Sequence, residues 1–168
     1  VKMKVNGMRC IVLTLVRAGA VLAEPEQAPV VVLYMYHNNE RAPHYYWDDT
    51  KLGGYLKFGK MLESLGAELA KVETAVTAES VDGLSMLIIV DPDTPKEAKE
   101  PAYISEEECD VLDKWVRNGG TLVMMANNAG NAEFKHFNKL AGRFGITFNR
   151  DTANTGGWTF VPEWRHFK

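Results

Sequence analysis

Residues 30–36 read Val-Val-Val-Leu-Tyr-Met-Tyr, and this run decides the fold. It is apolar without interruption and opens on three β-branched side chains. A strand with one wet face alternates apolar and polar residues; a strand covered on both faces has no need to. Residues 84–90 (LSMLIIV) repeat the pattern, and residues 121–126 (TLVMMA) form a third strand. Strands covered on both faces belong to parallel sheets with helices above and below.

The intervening segments supply those helices. Residues 54–65 place Tyr55, Phe58, Leu62 and Leu65 on one helical face, and Gly66 stops the run. Residues 68–72 read as a weaker strand. Ser105 then opens a second helix. Ser105 and Glu108 form a capping box, and Glu106 and Glu107 sit in the first turn, where the helix dipole favours acids. Val111, Leu112, Trp115 and Val116 make its apolar stripe, and Gly119-Gly120 end it. Residues 131–144 form a third helix with Phe134, Phe137, Leu140, Ala141 and Phe144 facing inward. Gly145 closes it, and a further strand begins at residues 146–148. The expected order is β-α-β-β-α-β-α-β. It predicts an α/β, doubly wound, mainly parallel sheet of flavodoxin-like type over residues 30–150. Residues 151–168 carry two Trp but no clear element. A doubly wound domain usually ends on a covering helix, so the pattern points to a domain truncated at its C-terminus.

A chain of 168 residues is long enough for one domain with a real core. Its 46% hydrophobic and 24% charged residues are ordinary for a soluble globular protein. A net charge of −3, with no Lys/Arg stripe, gives no electrostatic footprint for nucleic acid. The first residues differ in composition. Lys2, Lys4 and Arg9 precede a short apolar run at residues 10–16, and Val21-Leu22-Ala23 suits a cleavage site. Residues 1–23 therefore read as a secretory signal peptide, although Arg17 interrupts the apolar region, and residues 24–29 read as a linker. Cleavage would remove four positive charges and no acid, moving the net charge from −3 to −7. The expected location is periplasmic or extracellular. The apolar run is too short to span a bilayer. Cys109 would be the one thiol left, which excludes a disulfide framework and a Cys-based zinc site.

Ligands of an open parallel sheet bind beyond the carboxyl ends of its strands. Three strands here end in concentrated polar residues. The first runs into His37-Asn38-Asn39-Glu40 and on to residues 44–49 (HYYWDD). The third ends in Asp91-Pro92-Asp93-Thr94-Pro95. The fourth ends in Asn127-Asn128-Ala129-Gly130-Asn131, with Glu133 and His136 beyond. Many hydrolases and amidotransferases place a Ser or Cys nucleophile at a turn like this last one. Here the neighbouring polar side chains are amides, and no G-x-S-x-G or G-x-C-x-G occurs. Cys109 lies beside the apolar stripe of its helix and reads as core.

The first loop mixes aromatic rings with carboxylates and amides, as sugar recognition requires. Rings stack on the apolar face of a pyranose, and the polar groups bond its hydroxyls. The candidate ligand-binding residues are His37, Asn38, Glu40, His44, Tyr45, Trp47, Asp48, Asn127 and Asn128. Tyr45 and Trp47 would stack, or alternatively cap the core. Asp91 and Asp93 could hold a hard cation such as calcium, with amide oxygens helping, or could simply bond local N–H groups in a rigid turn. Glu40, Asp48 and Asp91 are the candidate acid/base carboxylates, if the domain cleaves glycosides. His136 reads more as a helix-flank residue than a catalytic one.

Three stretches together resemble a known family: HNNERAPHYYWDD (37–49) with LGGY (52–55), IIVDPDTPKE (88–97), and NAEFKHFNKLAGRFGITFN (131–149). They look like the class I glutamine-amidotransferase-like domain of unknown function associated with unsaturated rhamnogalacturonyl hydrolases, glycoside hydrolase family 105, of Bacteroides-type bacteria. The resemblance covers roughly residues 29–150. It implies a flavodoxin-like fold, export, and a role near rhamnogalacturonan (pectin) breakdown, with an oligosaccharide as ligand and a hydrolase as partner. It carries no established catalytic residues, and the tail from Thr152 departs from its pattern. A protein-interaction domain without a ligand of its own is the remaining alternative.

Overall fold

The computed structural model describes residues 27–38, 44–50, 54–128 and 130–150. The expected signal peptide, Glu40 and the tail from residue 151 lie outside them. The elements run β1 (Val30–Tyr34), α1 (Leu56–Ser64), β2 (Glu68–Val72), β3 (Met86–Val90), α2 (Glu106–Arg117), β4 (Thr121–Met125) and α3 (Phe134–Gly142). The four strands form one sheet in the order β2-β1-β3-β4, and every pairing is parallel. The fold is the expected doubly wound α/β sheet.

Side-chain alternation along β1 divides the core in two. Val32 and Tyr34 join Leu87 and Ile89 under Cys109 and Leu112 of α2 and Phe137 and Leu140 of α3. Val31, Leu33 and Met35 join Ile88 and Val90 on the opposite face, against Phe58 and Leu62 of α1 and the rings of Tyr45, Trp47 and Tyr55. Both central strands are thus covered on both sides, which is why their sequences show no polar alternation. β2 lies at an edge and keeps only Leu69 and Val72 partly buried, which accounts for its weaker signal.

The capping box of α2 is present in both directions, Ser105 Oγ accepting from Glu108 N and Glu108 Oε2 accepting from Ser105 N. α1 lacks a side-chain cap and is held by packing. Its Gly59 has a spatial reason: an added Cβ would lie 3.0 Å from Leu69 Cδ1 and 3.1 Å from Trp47 Cε3.

Two expectations need correction. Leu65 does not face the core; it follows α1 and is 74% exposed, because the chain turns there toward Gly66 at φ +89°. Residues 146–148 are not a strand. Asn138 of α3 clamps Phe148 instead, Nδ2 donating to its O at 3.0 Å and Oδ1 accepting from its N at 2.7 Å. This places the Phe148 ring against Phe134 and Phe137. Among the described residues β4 pairs only with β3, and an apolar groove of about 350 Å³ follows it, lined by Val116, Leu122, Met124, Phe144, Ile146 and Phe148.

Candidate functional site

β2 lies on one side of β1 and β3 on the other, so the chain leaves the sheet in opposite directions at the carboxyl ends of β1 and β3. That divergence opens the crevice where ligands of such sheets bind. Backbone hydrogen bonds close three loops around it. Asp93 N donates to His37 O at 2.7 Å, Asp91 N to Met125 O at 2.9 Å, and Glu133 N to Pro92 O at 2.8 Å. An antiparallel bridge joins Asp93 to Ala132. The three polar loops singled out in the sequence do meet at one edge.

Asn38 sits in the crevice, 2% exposed. Its Nδ2 donates to Asp91 O at 2.9 Å and to Val90 O at 3.4 Å. Its Oδ1 is buried with no hydrogen-bond partner among the described residues. A buried unpartnered acceptor costs about 1–3 kcal/mol, so such atoms are rare and call for a reason. Asp91, next to it, has φ +45°, and Tyr45 has φ +72°. Asp tolerates the left-handed region; a bulky ring does so at a cost of about 1–3 kcal/mol. The two strained residues touch, Tyr45 Oη donating to Asp91 Oδ2 at 3.3 Å. Asp91 Oδ1 accepts from Asn127 N at 2.9 Å. Burial pushes the Asp91 carboxyl above its ordinary range, and the Asn127 N–H only partly offsets that.

The rest of the predicted set divides. Trp47 is not free to stack on a ligand: Nε1 donates to Ala70 O at 2.8 Å, and the ring packs with Tyr55 and Phe58. Tyr45 lies between His44 and Tyr55, with ring centroids at 4.3 and 5.5 Å. Asp48 and Asn128 are exposed, and Asn127 turns its Oδ1 back onto Asn128 N at 2.8 Å. In the 92–97 turn Glu97 accepts from Thr94 N and Oγ1 at 2.9 and 2.8 Å. Among the described residues no three His, Cys, Asp or Glu side chains gather to hold a metal ion.

His37 faces inward rather than to the rim and is 1% exposed. Nδ1 lies 2.6 Å from Ala102 O and Nε2 3.2 Å from Glu108 Oε1. The same Glu108 oxygen accepts from Tyr34 Oη, which in turn accepts from Val76 N at 3.0 Å. Burial alone would raise the Glu108 carboxyl, but hydrogen bonds from His37, Tyr34 and Ser105 N outweigh it and hold it down to about 2. Burial first, then Glu108, pushes the Tyr34 phenol well above its usual value. This cluster pins β1, α2 and the segment before α2 together. Sequence reasoning took Glu108 only as half of a cap. The available signal was its i,i+4 spacing from Leu112, which puts it on the buried stripe of α2. Cys109 is fully buried, and burial lifts its thiol to about 11, which suits packing rather than nucleophilic attack.

A groove of about 760 Å³ lies elsewhere, at the amino ends of β3 and β4, lined by residues such as Leu84, Trp115 and Gly120. A second, of about 310 Å³, lies beside the crevice, between Thr94-Pro95, Tyr103 and the start of α3. The crevice outranks the larger groove as the primary site because strain, an orphan acceptor and a perturbed carboxyl coincide there.

No protein-family model and no curated protein matches the chain. Among solved structures it is similar to the mmIFT52 N-terminal domain, with a TM-score of 0.57 at 21% sequence identity. The match covers 73% of this chain and 46% of that one, so the chain spans less than half of its structural neighbour. Likeness at that identity concerns the fold alone. No helix among the described residues is long and apolar enough to cross a membrane.

Proposed function

We propose that the domain is a binding module whose β1–β3 crevice recognises a polyhydroxylated ligand, an oligosaccharide. The observation that carries this reading is the buried, unpartnered Asn38 Oδ1 beside Asp91. The unsatisfied amide oxygen and the Asp91 carboxylate are both acceptors, and hydroxyl groups are the donors a sugar brings. Asn128 and Asp48, both exposed, would extend the polar rim. The absence of a Ser or Cys among the crevice residues named above favours recognition over acyl transfer. The resemblance in residues 37–49, 88–97 and 131–149 supports a pectin-derived sugar, export, and service beside a hydrolase.

Calorimetric titration of the full chain with rhamnogalacturonan fragments and with neutral oligosaccharides tests this. Saturable binding is expected, weakened about tenfold by Asp91→Asn, since a charge-assisted hydrogen bond to a hydroxyl becomes a neutral one. Trp47→Ala is the wrong probe, because Trp47 supports α1 and β2. No heat from any saccharide, or full affinity in Asp91→Asn, would sink the reading.

A further inference from the structure

The cavity of about 310 Å³ beside the crevice has a character of its own. Lys135 and Arg150 line it, and Lys96 Nζ approaches within 4.0 Å of the place a Cβ on Gly130 would occupy. Lys71, Arg117, Lys139 and Arg143 are ion-paired with carboxylates; among the described residues Lys96, Lys135 and Arg150 are not, and neither are Lys57, Lys60, Lys99 and Lys114, which do not line this cavity. Three uncompensated cations thus gather at one small concavity of a chain whose net charge is −3.

The single carboxylate in the wall, Glu133, is already committed. Its oxygens accept from Lys135 N and His136 N at 2.8 Å each, and His136 Nδ1 lies 3.2 Å from Oε2. The Lys135 and His136 N–H groups at the start of α3 are therefore occupied and contribute nothing to a ligand. Glu133 instead fixes the imidazole: Nδ1 faces it, so Nε2 is left for another partner. Tyr103 lies over the ring at 4.5 Å and 17°, holding its plane. The pocket presents an oriented imidazole and unpaired cations above an apolar floor of Ala132 and Phe134.

We propose that this pocket binds the anionic group, carboxylate or phosphate, of a small ligand, with His136, Lys135, Arg150 and Lys96 around it. The inference does not depend on the crevice binding sugar. The test is titration of the full chain with inorganic phosphate and, separately, acetate, reading the His136 imidazole C–H resonances by NMR. Sodium chloride at matched ionic strength is the control. Saturable shifts with either anion are expected, and which anion saturates identifies the source. The Lys135→Gln/Arg150→Gln variant should bind about tenfold more weakly, as for the loss of two charge-assisted contacts. Lys114→Gln, at the opposite end of the sheet, should bind as the parent does. Linear shifts reproduced by chloride, or a double variant within about twofold of the parent, would overturn the proposal. A neutral oligosaccharide added in parallel separates the two readings, since it should leave the His136 signals in place whatever it does at Asn38.

Discussion

Two polar clusters share the carboxyl end of β1, and they are built to opposite standards. In the Tyr34–His37–Glu108 cluster every side-chain polar atom named has a partner, and the carboxylate is held ionised. In the Asn38–Asp91–Tyr45 cluster, one acceptor has no partner among the described residues, two residues sit at positive φ, and the carboxyl is pushed toward its neutral form. Burial is similar: Glu108 is 3% and Asp91 8% exposed. The difference teaches that burial of a polar group says little about its use. Completed hydrogen bonding makes a buried charge a structural joint. Incomplete bonding and strain persist only where the surrounding fold enforces them, and they mark the better candidate for a ligand site.

The comparison breaks if the two clusters respond alike to mutation. Glu108→Ala leaves His37, Tyr34 and Ser105 N without their acceptor. We expect a loss of about 3–5 kcal/mol in urea unfolding, as for removing one partner of a buried ionic pair. A cost below about 1 kcal/mol would mean that the cluster is no joint.

Acid titration sharpens the same point. The Glu108 carboxyl falls from an ordinary 4.5 to about 2 in the folded chain. A depressed carboxyl contributes stability that is complete above its unfolded pKa and is lost as pH falls through its folded one. The unfolding free energy should therefore drop by roughly 3 kcal/mol between about pH 5 and pH 2. Glu108→Gln should lose most of that slope. Asp91 acts with the opposite sign: its raised carboxyl binds its proton more readily when folded, so protonating it favours the fold. Tyr34→Phe comes next. It removes the donor to Glu108 and the acceptor of Val76 N while keeping the ring, and should cost about 2 kcal/mol by urea unfolding.

The sheet was legible because its physics is local. The uninterrupted apolar runs around Val30 and Leu87 require cover on both faces, and Ser105 with Glu108 marks a helix start in four residues. The meeting of three loops was legible too, because parallel strands put all their carboxyl ends on one edge. What escaped depended on distant partners. Nothing in the order of residues 37–49 shows that His37 turns inward to Glu108, 71 positions away, while Asn38 stays at the crevice. Nor does it show that Trp47 serves β2 through Ala70 O. The misread segment at 146–148 has strand propensity, yet the Asn138 side chain bonds both backbone groups of Phe148 that a ladder would use.

The smallest expected effect on stability is the most decisive for function. Asp91→Asn keeps the side-chain shape and the tolerance for φ +45°. The Asn oxygen still accepts from residue 127 N, and the new NH₂ donates to Tyr45 Oη where Oδ2 had accepted from it. The variant also removes a charge that burial disfavours. Urea unfolding should therefore change by less than about 1 kcal/mol, with stabilisation as admissible as loss. A ligand that bonds the carboxylate feels a different change, because that acceptor has lost its charge. Near-parent stability together with weakened saccharide binding is the signature of a site whose residues are held for a ligand. A loss of 3 kcal/mol or more in Asp91→Asn, like that in Glu108→Ala, would erase the distinction and make both clusters structural joints.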